Sequence, residues 1–138
     1  MGKKRERSEH WKLAPEEHDF PAAEDYLSLL FPESVVRSLV EELRETETLR
    51  RKAKDLIRAS RLSLLSSADP EVAKDLKRVA QGELLSPVLL VRGRAAEGVP
   101  LIVADGYHRI CASYHLDEDA DIPCRLAEAP VSSIEARP

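Results

Sequence analysis

Two short, uninterrupted apolar runs lie close together in the second half of the chain, Val88-Leu89-Leu90-Val91 and Leu101-Ile102-Val103-Ala104. Each run is apolar on both faces of an extended chain and is too short for a buried helix, so each predicts a central β-strand. A loop with two glycines, residues 92–98, joins them. Together with the helical patterns around them, these strands predict an α+β fold: a small mixed sheet with packed helices and a helical N-terminal extension.

Several segments before the strands have apolar residues at helical spacing. One begins at Pro32, which suits the first position of a helix, and a second helix is predicted over about 47–60. Residues 61–68 predict a short strand or a connector. Asp69-Pro70-Glu71 is typical of a helix start, because Asp caps the helix, Pro fits its first turn and Glu meets its positive end. Gly82 is the predicted stop of that helix.

The later part of the chain predicts one more helix and one more strand. Residues 107–116 form the helix, and Ile122-Pro123-Cys124-Arg125-Leu126 alternates as a strand does. Pro123 argues that this strand lies at an edge or contains a bulge, because proline cannot donate to a ladder. We predict four segments: a mobile arm over 1–20, a helical extension over 21–60, a mixed-sheet domain over 61–127 and a tail over 128–138. Trp11, Leu13 and Phe20 of the arm could dock onto the body.

Composition restricts the class of protein. The chain has 138 residues, which is long enough to bury one core. Of these residues, 43% are hydrophobic and 33% are charged, a composition that is not typical of disorder. No apolar run approaches the roughly 20 residues of a membrane span, and the basic start has no apolar stretch behind it, so neither a membrane protein nor a secreted one is expected. Two cysteines are too few for a disulfide scaffold, which favours a cytoplasmic protein.

The two cysteines could still take part in a metal site. Helical spacing places His108, Cys111 and His115 near one another, and Cys124 on the following strand could complete a zinc site with them. Cys111, however, falls on the apolar side of its helix, and small buried cysteines are common in protein cores. We therefore predict two inert thiols and no metal site.

Positive charge is concentrated between residues 50 and 61, where six basic side chains accompany one acid, while the whole chain has a net charge of −4. On a helix these side chains would form a stripe that could contact a nucleic-acid backbone or another anion. The candidate contacts are Arg51, Lys54, Arg58 and Arg61. The competing interpretation is a solvated helix face that is balanced by the acids at 41–45. Aromatic residues are too few to favour a base-stacking platform.

The segment Asp105-Gly106-Tyr107-His108-Arg109 follows the second apolar run directly. Gly106 permits a tight turn, and the free N–H groups at the start of the next helix favour an anion. Arg109 adds a planar fork of donors that matches phosphate. The segment thus predicts a phosphate site formed by Gly106, Tyr107, His108 and Arg109, with Asp105 capping the helix, holding a metal ion or orienting His108. The competing interpretation is an ordinary Asp-Gly turn in which Arg109 pairs with a neighbouring acid.

The run from about Ala59 to Leu126 resembles the ParB/sulfiredoxin superfamily. The shared pattern is a helix with a glycine stop, a strand, a loop, a second strand, a glycine turn with a His-Arg or Arg-Arg pair, an alanine-containing helix and a short strand with proline. The matching segments here are 75–82, 86–92, Asp105-Gly106-Tyr107-His108-Arg109, Cys111-Ala112-Ser113 and Ile122-Pro123-Cys124-Arg125. The resemblance covers about half of the chain and leaves residues 1–58 unexplained.

This resemblance implies nucleotide phosphates at the helix start, contacted by Gly106, His108 and Arg109, with ATP, ADP or CTP as the nucleotide and Mg²⁺ as its companion. Sulfiredoxins place a reactive cysteine before the His-Arg pair, where this chain has Tyr107, so sulfiredoxin activity is not expected. Chromosome-partition ParB proteins carry an additional DNA-reading domain after this region. Such a domain is not expected here, because few residues follow the last predicted strand. Free-serine kinases of the superfamily have the most similar motif, but the counterpart of their catalytic glutamate is not identifiable here.

Three functions follow from these patterns. The first is a phosphotransferase that acts on a small molecule, with Asp105 and His108 as catalytic candidates and Arg109 stabilising negative charge. The second is a non-catalytic ParB-like module that is DNA-associated or regulatory. The third is a structural domain with a degenerate site. The apolar helices before residue 60 could also form a homodimer surface.

Overall fold

A computed structural model describes residues 10–130 of the chain. This part contains five helices and four strands: α1 (Asp19–Leu27), α2 (Glu33–Glu45), β1 (Leu49–Lys52), α3 (Ala53–Ser60), α4 (Pro70–Ala80), β2 (Val88–Val91), β3 (Ile102–Asp105), α5 (Tyr107–Leu116) and β4 (Asp121–Ala127). A short 3₁₀ turn, Ala95–Glu97, lies between β2 and β3. The predicted α+β class with a small mixed sheet is confirmed. None of the helices in this part is long and apolar enough to cross a membrane.

The four strands form one sheet in the order β1-β4-β2-β3. β4 runs antiparallel to β1 and parallel to β2, while β2 and β3 are antiparallel. All four residues of β2 are buried, as predicted for a central strand. The prediction that β3 is also central is wrong, because β3 is the last strand in the order and only Ala104 of its residues is fully buried. An apolar run shows that a strand is covered but does not show whether another strand or a helix covers it.

Pro123 lies in an interior strand, contrary to the predicted edge position. β4 has neighbours on both sides, with Pro123 opposite Arg50 of β1. The parallel pairing with β2 begins only at Cys124. At Pro123 itself β4 therefore has a strand on one side only, which is a position where the missing N–H of proline is tolerated.

The helix predicted over 47–60 is divided in two. Residues 49–52 form β1, which pairs with β4, and only α3 that follows is helical. Pairing with a distant strand has overridden the local helical spacing. The predicted basic stripe is divided with it, because Arg51 lies on an edge strand whereas Lys54 and Arg58 lie on α3, and Arg61 takes a left-handed conformation at the end of α3.

Helices cover both faces of the sheet. α1 and α2 pack on the face that carries Leu89 and Val91, while α3 and α5 pack on the face that carries Val88, Leu90 and Ile122. Residues 21–60 therefore form part of the sheet and of its core. Because β2 lies in the middle and is apolar on both faces, it supplies side chains to both cores.

The start of the described chain docks onto the body. Trp11 is buried and forms a parallel bridge with Leu85, supported by a 2.8 Å hydrogen bond from the Lys12 N–H to the Leu85 carbonyl. Phe20 is buried as well, whereas Leu13 is 88% exposed. The expectation of docking is thus confirmed for two of the three apolar residues. Most of the predicted arm, residues 1–9, and the predicted tail after residue 130 lie outside the described residues.

The predicted start of α4 is confirmed and permits a stability test. Oδ2 of Asp69 accepts hydrogen bonds of 3.1 Å from the N–H groups of Glu71 and Val72, with Pro70 in the first turn. We expect Asp69→Ala to lower the free energy of unfolding by about 1 kcal/mol, because two N–H groups lose their acceptor. Asp69→Asn keeps an accepting oxygen and is expected to cost clearly less. Urea denaturation of both variants checks this, and equal losses would contradict a capping role.

Candidate functional site

The predicted glycine turn connects β3 to α5. Gly106 has φ +107°, in the left-handed region, and a Cβ built there would lie 2.6 Å from Cγ1 of Val88 and 2.7 Å from Nη2 of Arg109. Among residues 10–130, no side chain accepts a hydrogen bond from the first turn of α5. Since the first N–H groups of a helix have no partner within it, the start of α5 presents free donors next to the turn. This part of the predicted site is present.

Arg109 points into the protein and pairs with neighbouring acids, as the competing interpretation of the motif has it. Nη2 lies 3.0 Å from Oδ2 of Asp105 and 3.4 Å from the Pro87 carbonyl oxygen, and Nη1 lies 4.0 Å from Oδ1 of Asp19. The side chain of Arg109 is 16% exposed and that of Asp19 only 2%. The physical reason is that a carboxylate buried as deeply as Asp19 requires a nearby cation.

Burial and the positive charge of Arg109 act in opposite directions on the pKa values of the carboxyl groups around it. Burial raises the pKa of Asp105, with Arg109 opposing the rise and Asp19 adding to it. Burial also raises the pKa of Asp75, again opposed by Arg109 and then by Arg78. Nε of Arg109 is buried and has no hydrogen-bond partner within residues 10–130. Arg109 is thus the central cation of a mostly buried acidic cluster.

This balance predicts the pH dependence of stability. Because the pKa of Asp105 is raised in the folded state, the folded protein holds the proton more tightly than the unfolded chain does. The contribution of this carboxyl to stability is therefore largest below its ordinary pKa of 3.8 and declines as the pH rises through the raised value. We expect the stability of the wild type relative to Asp105→Asn to fall across that window. Urea denaturation at a series of pH values checks this; a relative stability that rises with pH would contradict it.

His108 is the predicted site residue that does reach solvent. Its side chain is 47% exposed, and Nε2 lies 4.0 Å from Oδ2 of Asp69, the cap of α4. The starts of α4 and α5 therefore meet at His108. Asp69 was predicted only as a helix cap, and its second position beside His108 could not be inferred because the two residues are far apart in sequence.

Contacts along α5 fasten the segment 61–68 beside the site. The hydroxyl of Tyr107 donates a 2.6 Å hydrogen bond to the Ser63 carbonyl, and Nε2 of His115 lies 2.7 Å from the Leu65 carbonyl. Burial raises the pKa of Tyr107, so the phenol stays protonated. Of the two structures predicted for this segment, the connector is the one observed. The side chains of Tyr107 and His115 thereby fasten this connector to α5.

The basic candidates lie apart from this cluster and are partly neutralised. Nζ of Lys54 pairs with Asp119 at 2.7 Å, and Nη2 of Arg58 pairs with Asp55 at 3.3 Å. Nη1 of Arg51 donates to the carbonyl of its neighbour Arg50. The contacts recorded for residues 10–130 do not connect any of these basic groups with Asp105, His108 or Arg109.

Both thiols are buried, Cys111 under α4 and Cys124 in the sheet core. Burial raises the pKa of both and brings that of Cys124 to about 11. Within residues 10–130, no three His, Cys, Asp or Glu side chains are placed to hold a metal ion.

Comparison of the chain with models of protein families, with curated proteins and with solved structures finds no match. The similarity to the ParB/sulfiredoxin superfamily therefore rests on the motif and the predicted element order and stays a prediction.

Proposed function

We propose that the start of α5 binds the phosphate of a nucleotide or of another phosphorylated small molecule. The observation that carries this proposal is an uncapped helix start behind a left-handed glycine, with a half-exposed histidine in its first turn. Free N–H groups and the positive end of a helix favour an anion, and His108 adds a donor from the side chain. Gly106 permits the left-handed turn that aims these N–H groups, and its missing Cβ leaves the space that Val88 and Arg109 occupy.

The structure changes the part that Arg109 takes in this proposal. Its guanidinium is already engaged by Asp105 and Asp19, so it holds the turn in place and does not reach the ligand. Asp105 is likewise turned toward Arg109, which makes it a positioning residue in a phosphotransferase. His108 beside Asp69 is then the one catalytic candidate with access to solvent, because an acid–base group needs a path to the reacting oxygen.

Titration with ATP, ADP, CTP and inorganic phosphate, with and without Mg²⁺, tests the proposal. Calorimetry measures the affinity, and amide NMR shifts locate the site. We expect shifts at residues 106–108 and roughly tenfold weaker binding in His108→Ala, which corresponds to one lost hydrogen bond to a charged group. The matched control Arg37→Gln, at an exposed arginine of α2, is expected to bind as the wild type does. No binding at millimolar concentrations would refute the proposal.

A nucleic-acid interface is the second candidate, favoured by the exposure of Arg50, Arg51 and Lys52 along β1. Phosphate contacts of this kind are lost as salt is added. If the chain is a DNA-associated module, DNA is expected to be retained at low salt and released by Arg51→Glu and Arg58→Glu, while His108→Ala has no effect. The two candidate functions are therefore distinguishable. His108→Ala weakens nucleotide binding but not DNA retention, whereas Arg51→Glu and Arg58→Glu release DNA.

A further inference from the structure

A groove of about 370 Å³ opens along the start of β3 and is separate from the proposed phosphate site. β3 enters the groove at Ile102 and leaves it before Asp105, so no residue of the Gly106 turn lines it. The apolar side chains that line it include Tyr26, Leu30, Phe31, Leu62, Ile102 and Val103. Tyr26, Leu30 and Leu62 are each exposed by more than two fifths, which is unusual for side chains this large. This volume lies within the range of small-molecule sites.

Two arginines, Arg92 and Arg94, line the same groove. Nε of Arg92 lies 3.3 Å from Glu128, so this charge is shared with an acid at the surface. Arg94 is paired differently: Nη2 donates a 2.9 Å hydrogen bond to the Ala129 carbonyl, and no carboxylate within residues 10–130 forms an ion pair with it. A partly buried guanidinium without a counter-ion attracts an anion.

The backbone around Arg94 is fixed before any ligand arrives. The N–H and carbonyl groups of Arg94 exchange hydrogen bonds of 2.8 and 3.0 Å with Val99. Gly93 is packed so closely that a Cβ there would lie 2.6 Å from the carbonyl carbon of Pro100. With its backbone paired and its guanidinium anchored on Ala129, Arg94 loses little freedom when it binds, which favours affinity.

We infer that this groove binds an amphipathic small-molecule carboxylate, an apolar chain or ring that ends in one anionic head. The hydrocarbon lies against Phe31, Leu62 and Ile102, and the carboxylate takes the free donors of Arg94. The planar guanidinium matches a carboxylate in shape, and the apolar lining excludes water from the pair. A fully apolar ligand would leave Arg94 without a counter-ion.

Decanoate and its neutral analogue decanol, both below their aggregation limits, distinguish this recognition from mere hydrophobicity. We expect decanoate to bind the wild type at least roughly tenfold more tightly than decanol and to shift the amides of Leu62, Arg94 and Ile102 in NMR spectra. In Arg94→Gln the preference is expected to fall to about twofold. The matched control Arg37→Gln, at an exposed arginine that does not line the groove, is expected to keep it.

Thermal unfolding shows whether Arg94→Gln remains folded, and the decanoate–decanol comparison on the wild type does not depend on any variant. Equal affinities for the two probes, or shifts confined to residues 106–109, would overturn the inference. A second copy of the chain is the competing occupant. If sedimentation shows a dimer that Leu62→Ser dissociates, the groove is a protein interface and the inference is wrong.

Discussion

Replacing Arg109 by methionine is expected to lower the free energy of unfolding by about 3–5 kcal/mol at neutral pH. The substitution removes the cation that lies between the buried carboxylate of Asp19 and the nearby Asp105, and leaves Asp19 with the Glu16 N–H and the exposed ring of His18 as polar neighbours. Burying charges without a partner is far more costly than the net gain of the intact pair. Chemical denaturation measures the loss, which is expected to shrink as the pH falls, because protonation removes the unpaired charges.

Arg37→Met is the matched control for this substitution. Arg37 also pairs with an acid, Glu33 at 3.0 Å, but its side chain is 75% exposed and solvent screens the pair. Little change is expected there. The double variant Arg109→Met/Asp105→Asn is expected to recover part of the stability, since one of the stranded charges is gone. A loss at Arg109 no greater than that at Arg37 would contradict the central role of this cation.

Gly106→Ala is expected to cost about 2–5 kcal/mol, the second large effect. Two causes add: a left-handed φ of +107° strains an alanine, and the new methyl would lie 2.6 Å from Cγ1 of Val88. The fold would have to shift where β2, β3 and α5 meet. Thermal and chemical unfolding report the loss, and phosphate binding should weaken with it because the same turn presents the donors.

Gly82→Ala separates these two causes. Gly82 has a similar φ of +83°, but a Cβ there meets no atom within 4 Å. Only the backbone strain of about 1–2 kcal/mol is then expected. Gly106→Ala combined with Val88→Ala removes the steric contact and should leave mainly the strain and the lost packing. If Gly106→Ala costs no more than Gly82→Ala, close packing against Val88 does not constrain the turn.

The elements that sequence reasoning located correctly are those with strong local signals. α4 begins at an Asp-Pro-Glu start, α5 spans the predicted 107–116, and β2 is the buried strand that its apolar run predicted. In each case the deciding physics, capping, proline geometry or continuous apolarity, acts over a few neighbouring residues. The division of 47–60 into β1 and α3 was not predictable in this way, because β4 lies about 70 residues further along the chain.

The candidate site shows the same division. The glycine turn, the helix that follows it and His108 were all inferred from one short segment of sequence, whereas Asp105, given there as a possible cap, is turned toward Arg109. No local pattern indicated that Asp19 lies beside Arg109, Asp69 beside His108 or Ser63 beside Tyr107. Each of these pairs joins elements that are adjacent only after the sheet has formed.

Local patterns in the sequence were sufficient to predict the fold class, the position of the Gly106 turn and the helix whose N-terminal N–H groups follow that turn. The direction in which Arg109 points depends on tertiary packing. A guanidinium can pair with a ligand or with a carboxylate of its own chain, and the choice depends on how deeply that carboxylate is buried. Asp19 is buried by the packing of α1 on the sheet, a long-range arrangement that no local pattern of residues encodes.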